Sequence, residues 1–134
     1  METLKIKYVG DLRTEALHIA SGANLITDAP LDNHGRGEAF SPTDLLCSAL
    51  GSCMLTIMGI AANAHQFELK GAEVKVTKIM ASQPRRVGEI IVDFHFPDLS
   101  FSDKQLKILE QAAYTCPVYL SLHPEIIKTI RFNF

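Results

Sequence analysis

Between Asp44 and His65 the chain carries no charged side chain: Leu45–Ala64 reads "LLCSALGSCMLTIMGIAANA". Twenty such residues meet the length requirement of a membrane-spanning helix. Three features oppose that reading. Ser48, Gly51, Ser52, Thr56 and Gly59 dilute the hydrophobicity, and no Lys/Arg cluster flanks either end to orient a span. The remainder of the chain also alternates like sheet, whose apolar faces need a helix to cover them. The stretch therefore reads as a long, buried core helix and not as a membrane segment.

Its start is marked by several agreeing signals. Ser41 is a good N-cap, Pro42 suits the first helical position, and Asp44 stands where a capping-box acid belongs. Phe40 before the cap is placed to staple onto Leu45. Ser48, Ser52, Thr56 and Gly59 recur at helical spacing and form a stripe of small side chains. Such a stripe fits close packing on the chain's own sheet or second helix, or on a second copy of the chain. A 134-residue chain has little surface with which to bury a helix apolar all round, which favours a dimer.

Around this helix the pattern is α+β. "LKIKYV", "TEALHIAS" and "NLITDAP" predict an antiparallel meander over residues 3–28, and "PLDNHGRGEAF" a polar loop. "AEVKVTKIMA" and "EIIVDFHF" predict a hairpin joined by "SQPRRVG". A second helix is expected from Ser102 through "DKQLKILEQAAYT". Gln105 completes its capping box, and Leu106, Leu109, Ala112 and Ala113 form its apolar stripe. Pro117 ends that helix, Cys116 is placed to cap a short new turn, and "IIKTIRFNF" predicts a last strand. The order βββ-α-ββ-α-β implies a single α+β domain over residues 1–134 with antiparallel sheet.

A net charge of -2 supplies no electrostatic reason for nucleic acid or an anionic membrane as partner. "METLKIKYVG" alternates and lacks the apolar core of a secretory signal, so the expected location is the cytoplasm. Three cysteines do not make a complete disulfide framework, and their spacing matches no common zinc pattern. Cys47 and Cys53 point about 120° apart on an ideal helix and do not pair within it. Taken alone, Cys53 reads more readily as an inert core thiol than as a nucleophile. Cys116 reads as a capping thiol whose facing backbone N–H groups favour the thiolate.

"SPTDLL" followed by "SALGSCM", with "TCPV" some sixty residues on, resembles the OsmC/Ohr family of thiol-dependent hydroperoxide reductases. The likeness covers almost the whole chain and includes the element order. It implies an OsmC-like fold with antiparallel sheets around a long buried central helix, in an intertwined homodimer. By the same resemblance Cys53 matches the peroxidatic cysteine and Cys116 the resolving one. The implied reaction reduces an organic hydroperoxide to the alcohol through a Cys53 sulfenic acid and a Cys53–Cys116 disulfide. An external dithiol, either small or carried by a lipoylated protein, restores the thiols, with no bound cofactor or metal. Family members also hold the thiolate with a Glu–Arg pair. Here Thr43 stands at the Glu position, and Arg13 is preferred over Arg36 as the arginine. The alternative is a non-peroxidatic relative that binds a small molecule or senses redox state.

Overall fold

The computed structural model describes residues 1–134, which divide into two compact units, Met1–Leu46 and Cys47–Phe134. The first is built on the expected meander. Strands β1 (Leu4–Gly10), β2 (Arg13–His18) and β3 (Asn24–Asp28) pair antiparallel in that order. Asp11 and Leu12 close the first hairpin at φ 53 and 62, the left-handed backbone that a tight two-residue turn needs to match the strand twist. The register sets Leu4 beside His18, Ile6 beside Ala16 and Tyr8 beside Thr14, with Leu25 and Thr27 continuing the rows. One face therefore carries Leu4, Ile6, Tyr8, Ala16 and Leu25, and all but Ala16 stand well exposed. A single 3-10 turn, Leu31–Asn33, and an irregular loop lead to Phe40, whose carbonyl accepts the Asp28 N–H at 3.1 Å.

Helix α1 (Pro42–Ala64) begins in the first unit and continues into the second. Its capping box forms as the sequence predicts. The Asp44 N–H donates to Ser41 Oγ at 3.0 Å, and the Ser41 N–H donates to Asp44 Oδ2 at 3.0 Å. Phe40 stands more than half exposed, which leaves the expected staple onto Leu45 weak. Within the chain the helix is not buried all round. Cys47, Leu50, Gly51, Met54, Met58 and Ala62 form one buried stripe at the spacing of a single helical face. Of the stripe of small residues, Ser52 and Thr56 stay exposed, whereas Ser48 and Gly59 are half-buried.

The second unit's sheet has the order β4 (Glu73–Ala81), β5 (Arg86–His95), β6 (Ile127–Asn133). β4 and β5 are the expected hairpin, but β5 starts at Arg86, so "RVG" belongs to the strand and not to the loop. β6 runs parallel to β5, which corrects the purely antiparallel expectation for this one pair. A parallel pair requires a long crossover, and α2 (Asp103–Ala113) and α3 (Pro117–Ser121) lie within it. Ser102 and Gln105 make the predicted capping box on α2, which ends at Ala113, two residues short of the sequence-based expectation. Leu109 and Ala113 are its fully buried positions, with Leu106 and Ala112 half-buried. Ile90, Val92 and Phe94 of β5 have no exposure and form the floor of the core. Phe94, Phe132, Phe134 and Phe96 stack in sequence at 5.1, 5.6 and 4.9 Å between ring centroids.

Candidate active site

Gly51 fixes the height of α1 over the sheet. A Cβ added there lies 2.9 Å from Val76 Cγ2 and 3.4 Å from Val74 Cγ1, closer than packed carbons tolerate, so only glycine fits without a shift. Two residues on, Cys53 is half-buried and packs against the core cluster. Cys116 lies in the turn between α2 and α3 and has no exposure. The turn is held by the Cys116 N–H donating to the Ala113 carbonyl at 3.3 Å. Pro117 opens α3, and the Tyr119 N–H donates to Cys116 Sγ at 3.4 Å, so the thiol is the helix cap that the sequence predicts.

The crossover thus returns Cys116 to α1, where the Cys53 thiol lies close enough to act on its ionisation. Both are free thiols. Burial, and then the hydrogen bond to Cys53, hold Cys116 above the ordinary thiol range. The Tyr119 and Val118 N–H groups pull the other way and are outweighed. The expectation that the cap position favours the Cys116 thiolate is therefore corrected, because desolvation of the charge exceeds what two backbone donors return. Tyr119 closes this end, with the Tyr114 ring edge-on at 5.6 Å and Lys128 Nζ 5.3 Å from its ring centre. Cys47 is buried in the core.

The other candidate residues lie in the first unit. Arg13 meets Asp28 side-on, with Nε to Oδ1 at 2.7 Å and Nη2 to Oδ2 at 2.8 Å. The two are directly opposite in the β2–β3 register. The Glu38 N–H adds a third donor to Asp28 Oδ2 at 3.2 Å. Asp28 is 1% exposed and Arg13 22%. Hydrogen bonding to Arg13 keeps the Asp28 carboxyl below its ordinary value and the Arg13 guanidinium above its own. Arg36, the other arginine considered, reaches the exposed Asp11 at 3.1 Å. Thr43 Oγ1 lies 3.2 Å from Ser41 Oγ, inside the cap of α1.

Two residues of this arrangement escape a reading of the sequence. Gly51 is one of several small residues in its helix, and only the sheet beneath it distinguishes it. Asp28 lies fifteen residues from Arg13, and its one signal is the meander register that sets 13 opposite 28. No group of three or more His, Cys, Asp and Glu side chains gathers to hold a metal ion.

Residues 35–130 match the family described as OsmC-like protein. No curated protein matches the chain. Among solved structures, one from Psychrobacter arcticus 273-4, provisionally named an osmotic stress induced and detoxification response protein, is 49% identical with a TM-score of 0.95. That match covers 99% of this chain and 96% of the other. The Legionella pneumophila organic hydroperoxide resistance protein OsmC shares the fold at 14% identity and TM-score 0.76, covering 100% and 98% of the two chains. The organic hydroperoxide resistance protein OhrB of Bacillus subtilis does so at 12% identity and TM-score 0.67, covering 97% and 96%. With a family match over most of its length and a half-identical relative over nearly all of it, this chain belongs to the OsmC-like family.

Proposed function

We propose that the protein is a thiol-dependent peroxidase that reduces organic hydroperoxides, with Cys53 as nucleophile and Cys116 as resolving thiol. The observation that carries this reading is that a long helix and a capped turn bring Cys116, sixty-three residues on, to the neighbourhood of Cys53, close enough for the two thiols to act on one another's environment. The Cys53 thiolate attacks the terminal oxygen of ROOH. The O–O bond breaks, the alkoxide leaves and takes up a proton as ROH, and Cys53 becomes a sulfenic acid. The Cys116 sulfur then attacks the Cys53 sulfur. Its proton leaves with the hydroxyl as water, and a disulfide forms. A dithiol reduces that disulfide by exchange and is itself oxidised to a cyclic disulfide.

The apolar side chains around Cys53 favour a hydroperoxide with a bulky apolar group. Arg13 is the cation proposed to support the reactive thiolate. The working form is proposed to be a cytoplasmic homodimer in which residues 1–134 act as one domain. Two surfaces favour the dimer: the exposed Leu4, Ile6, Tyr8 and Leu25 face, and the exposed Ser52 and Thr56 of α1.

Thiol titration before and after one equivalent of cumene hydroperoxide tests the reading. Two thiols are lost, and a Cys53–Cys116 disulfide is found in the peptide map. Peroxide consumption with dithiol that survives intact in Cys53→Ser refutes it. Retention of an apolar ligand with no thiol loss favours a binding protein instead.

A further inference from the structure

β6 places a lysine on the covered side of its sheet. In the parallel register Lys128, Ile130 and Phe132 stand beside Ile90, Val92 and Phe94, so they face the core as those residues do. The cation of the other row, Arg131, turns outward onto Asp93 at 3.6 Å. Lysine is seldom set on a covered face without partners, because its ammonium is costly to desolvate. Lys128 is half-buried and has two. Its Nζ donates to the Ile126 carbonyl at 3.2 Å and stands 5.3 Å from the centre of the Tyr119 ring.

Tyr119 connects that ammonium to Cys116. Its N–H donates to the Cys116 sulfur at 3.4 Å, and the Leu120 N–H donates to the Cys116 carbonyl at 3.1 Å. Its ring also meets Tyr114 edge-on, and Tyr114 meets Phe132 of β6 at 6.2 Å. A helix of five residues has little stability of its own, so side-chain ties decide how firmly α3 sits. We propose that Lys128 is a positioning residue for Cys116: its ammonium, seated on the Tyr119 ring, latches α3 to β6 and keeps the sulfur in place as the α3 cap. The proposal rests on the reading of Cys116 as resolving thiol. Cys116 has no exposure and Cys53 is half-buried, so the latch leaves an oxidant to meet Cys53 first.

The chain carries its own reference for this latch. A buried thiol is reached by a reagent only when the structure around it opens. Cys116 reports opening of the α3 turn, whereas Cys47 is buried on α1 in the same unit and reports loosening of the core at large. The ratio of Cys116 to Cys47 labelling therefore isolates α3. Loss of an ammonium from an aromatic face raises the open population by about two- to fivefold.

The test is brief labelling of the whole, reduced protein with iodoacetamide at neutral pH, resolved to each cysteine by mass spectrometry. It is run on wild type, Lys128→Met, Lys128→Arg, Tyr119→Leu and the Lys128→Met/Tyr119→Leu double variant. Lys128→Met keeps the stem, removes the charge and raises the ratio about two- to fivefold. Lys128→Arg keeps a cation on the ring and holds the ratio near wild type. The double variant exceeds Tyr119→Leu little, because both remove one contact. After one equivalent of cumene hydroperoxide, disulfide closing in Lys128→Met quickens by the same factor, since the sulfur must leave its seat to bond. A Lys128→Met ratio at the wild-type value overturns the proposal. So does an equal rise in Lys128→Arg, or a double variant in which the two increases multiply. If Tyr119→Leu does not fold, Lys128→Met against Lys128→Arg decides. Closing that keeps its wild-type rate while the ratio rises overturns the positioning role. Wild-type protein that forms no Cys53–Cys116 disulfide instead overturns the reading of Cys116 as resolving thiol, whatever the ratio shows of the latch.

Discussion

Gly51→Ala probes the contact that sets Cys53 above the sheet. The added Cβ meets Val76 Cγ2 at 2.9 Å, with Val74 Cγ1 at 3.4 Å behind it. Neither carbon is the tip of a flexible chain. Valine is stiff at χ1, and Val76 pairs in register with Val92, which has no exposure. Overpacking of this sort costs about 1–3 kcal/mol. Replacing a mid-helix glycine returns about 1 kcal/mol of helix propensity. The net expectation is a loss of about 1 kcal/mol, where an unobstructed helix position shows a gain. Truncating the obstacle separates the two contributions. In Val76→Ala the Cγ2 is gone, so Gly51→Ala introduced on that background keeps the propensity gain and refills part of the vacated space.

The double-mutant cycle is therefore strongly non-additive, with a favourable coupling of about 1–2 kcal/mol. Urea denaturation followed by circular dichroism, at one fixed protein concentration and with constant m-value, measures it. Additivity within about 0.5 kcal/mol, or a Gly51→Ala single variant more stable than wild type, refutes the claim that α1 rests on Val76.

Three further outcomes are expected. Because Cys116 is held above the ordinary thiol range, its attack on the Cys53 sulfenic acid accelerates as pH rises through and beyond that range. Stopped-flow of disulfide formation measures this, and a flat profile contradicts it. Asp28 is held below its ordinary carboxylate value by Arg13, so the pair stabilises the fold above that value and ceases to do so as pH falls through the lowered one. Acid unfolding followed by circular dichroism shows a smaller loss below about pH 4 in Asp28→Asn than in wild type. Ser102→Ala removes an acceptor for the Gln105 N–H and frees the Gln105 side chain from the Ser102 N–H. It destabilises by about 1 kcal/mol in the same urea assay, and a change near zero contradicts the capping box.

Features that depend on neighbours along the chain are legible in the residues themselves. The Ser41 and Ser102 caps, the Cys116 cap and the meander all arise from local chemistry within a few residues. The pairing of α1 with the distant "TCPV" rests on family resemblance and not on spacing. The parallel docking of β6 is a different matter. "IIKTIRFNF" reads as a strand, but nothing in it tells which side of β5 it joins or in which direction. The protonation of Cys116 is hidden for a related reason. Capping geometry is local, whereas desolvation depends on everything packed around the turn. Asp28 is hidden because a helix start is where an acid is most readily sought, and the acid that meets Arg13 comes from across a hairpin.

The two sulfurs are carried on supports of very different stiffness. Cys53 belongs to a helix of twenty-three residues seated on β4 through Gly51. Cys116 caps a helix of five residues whose Leu120 is 70% exposed. A covalent bond between sulfurs is far shorter than a hydrogen bond between them, so closing it requires one side to travel. The anvil is α1, and the moving jaw is the Cys116–Ser121 turn. In the proposed cycle, closing the disulfide would flex the same short, outward-facing piece of backbone each time, and the redox state of the cysteine pair would be readable from outside as the posture of that turn.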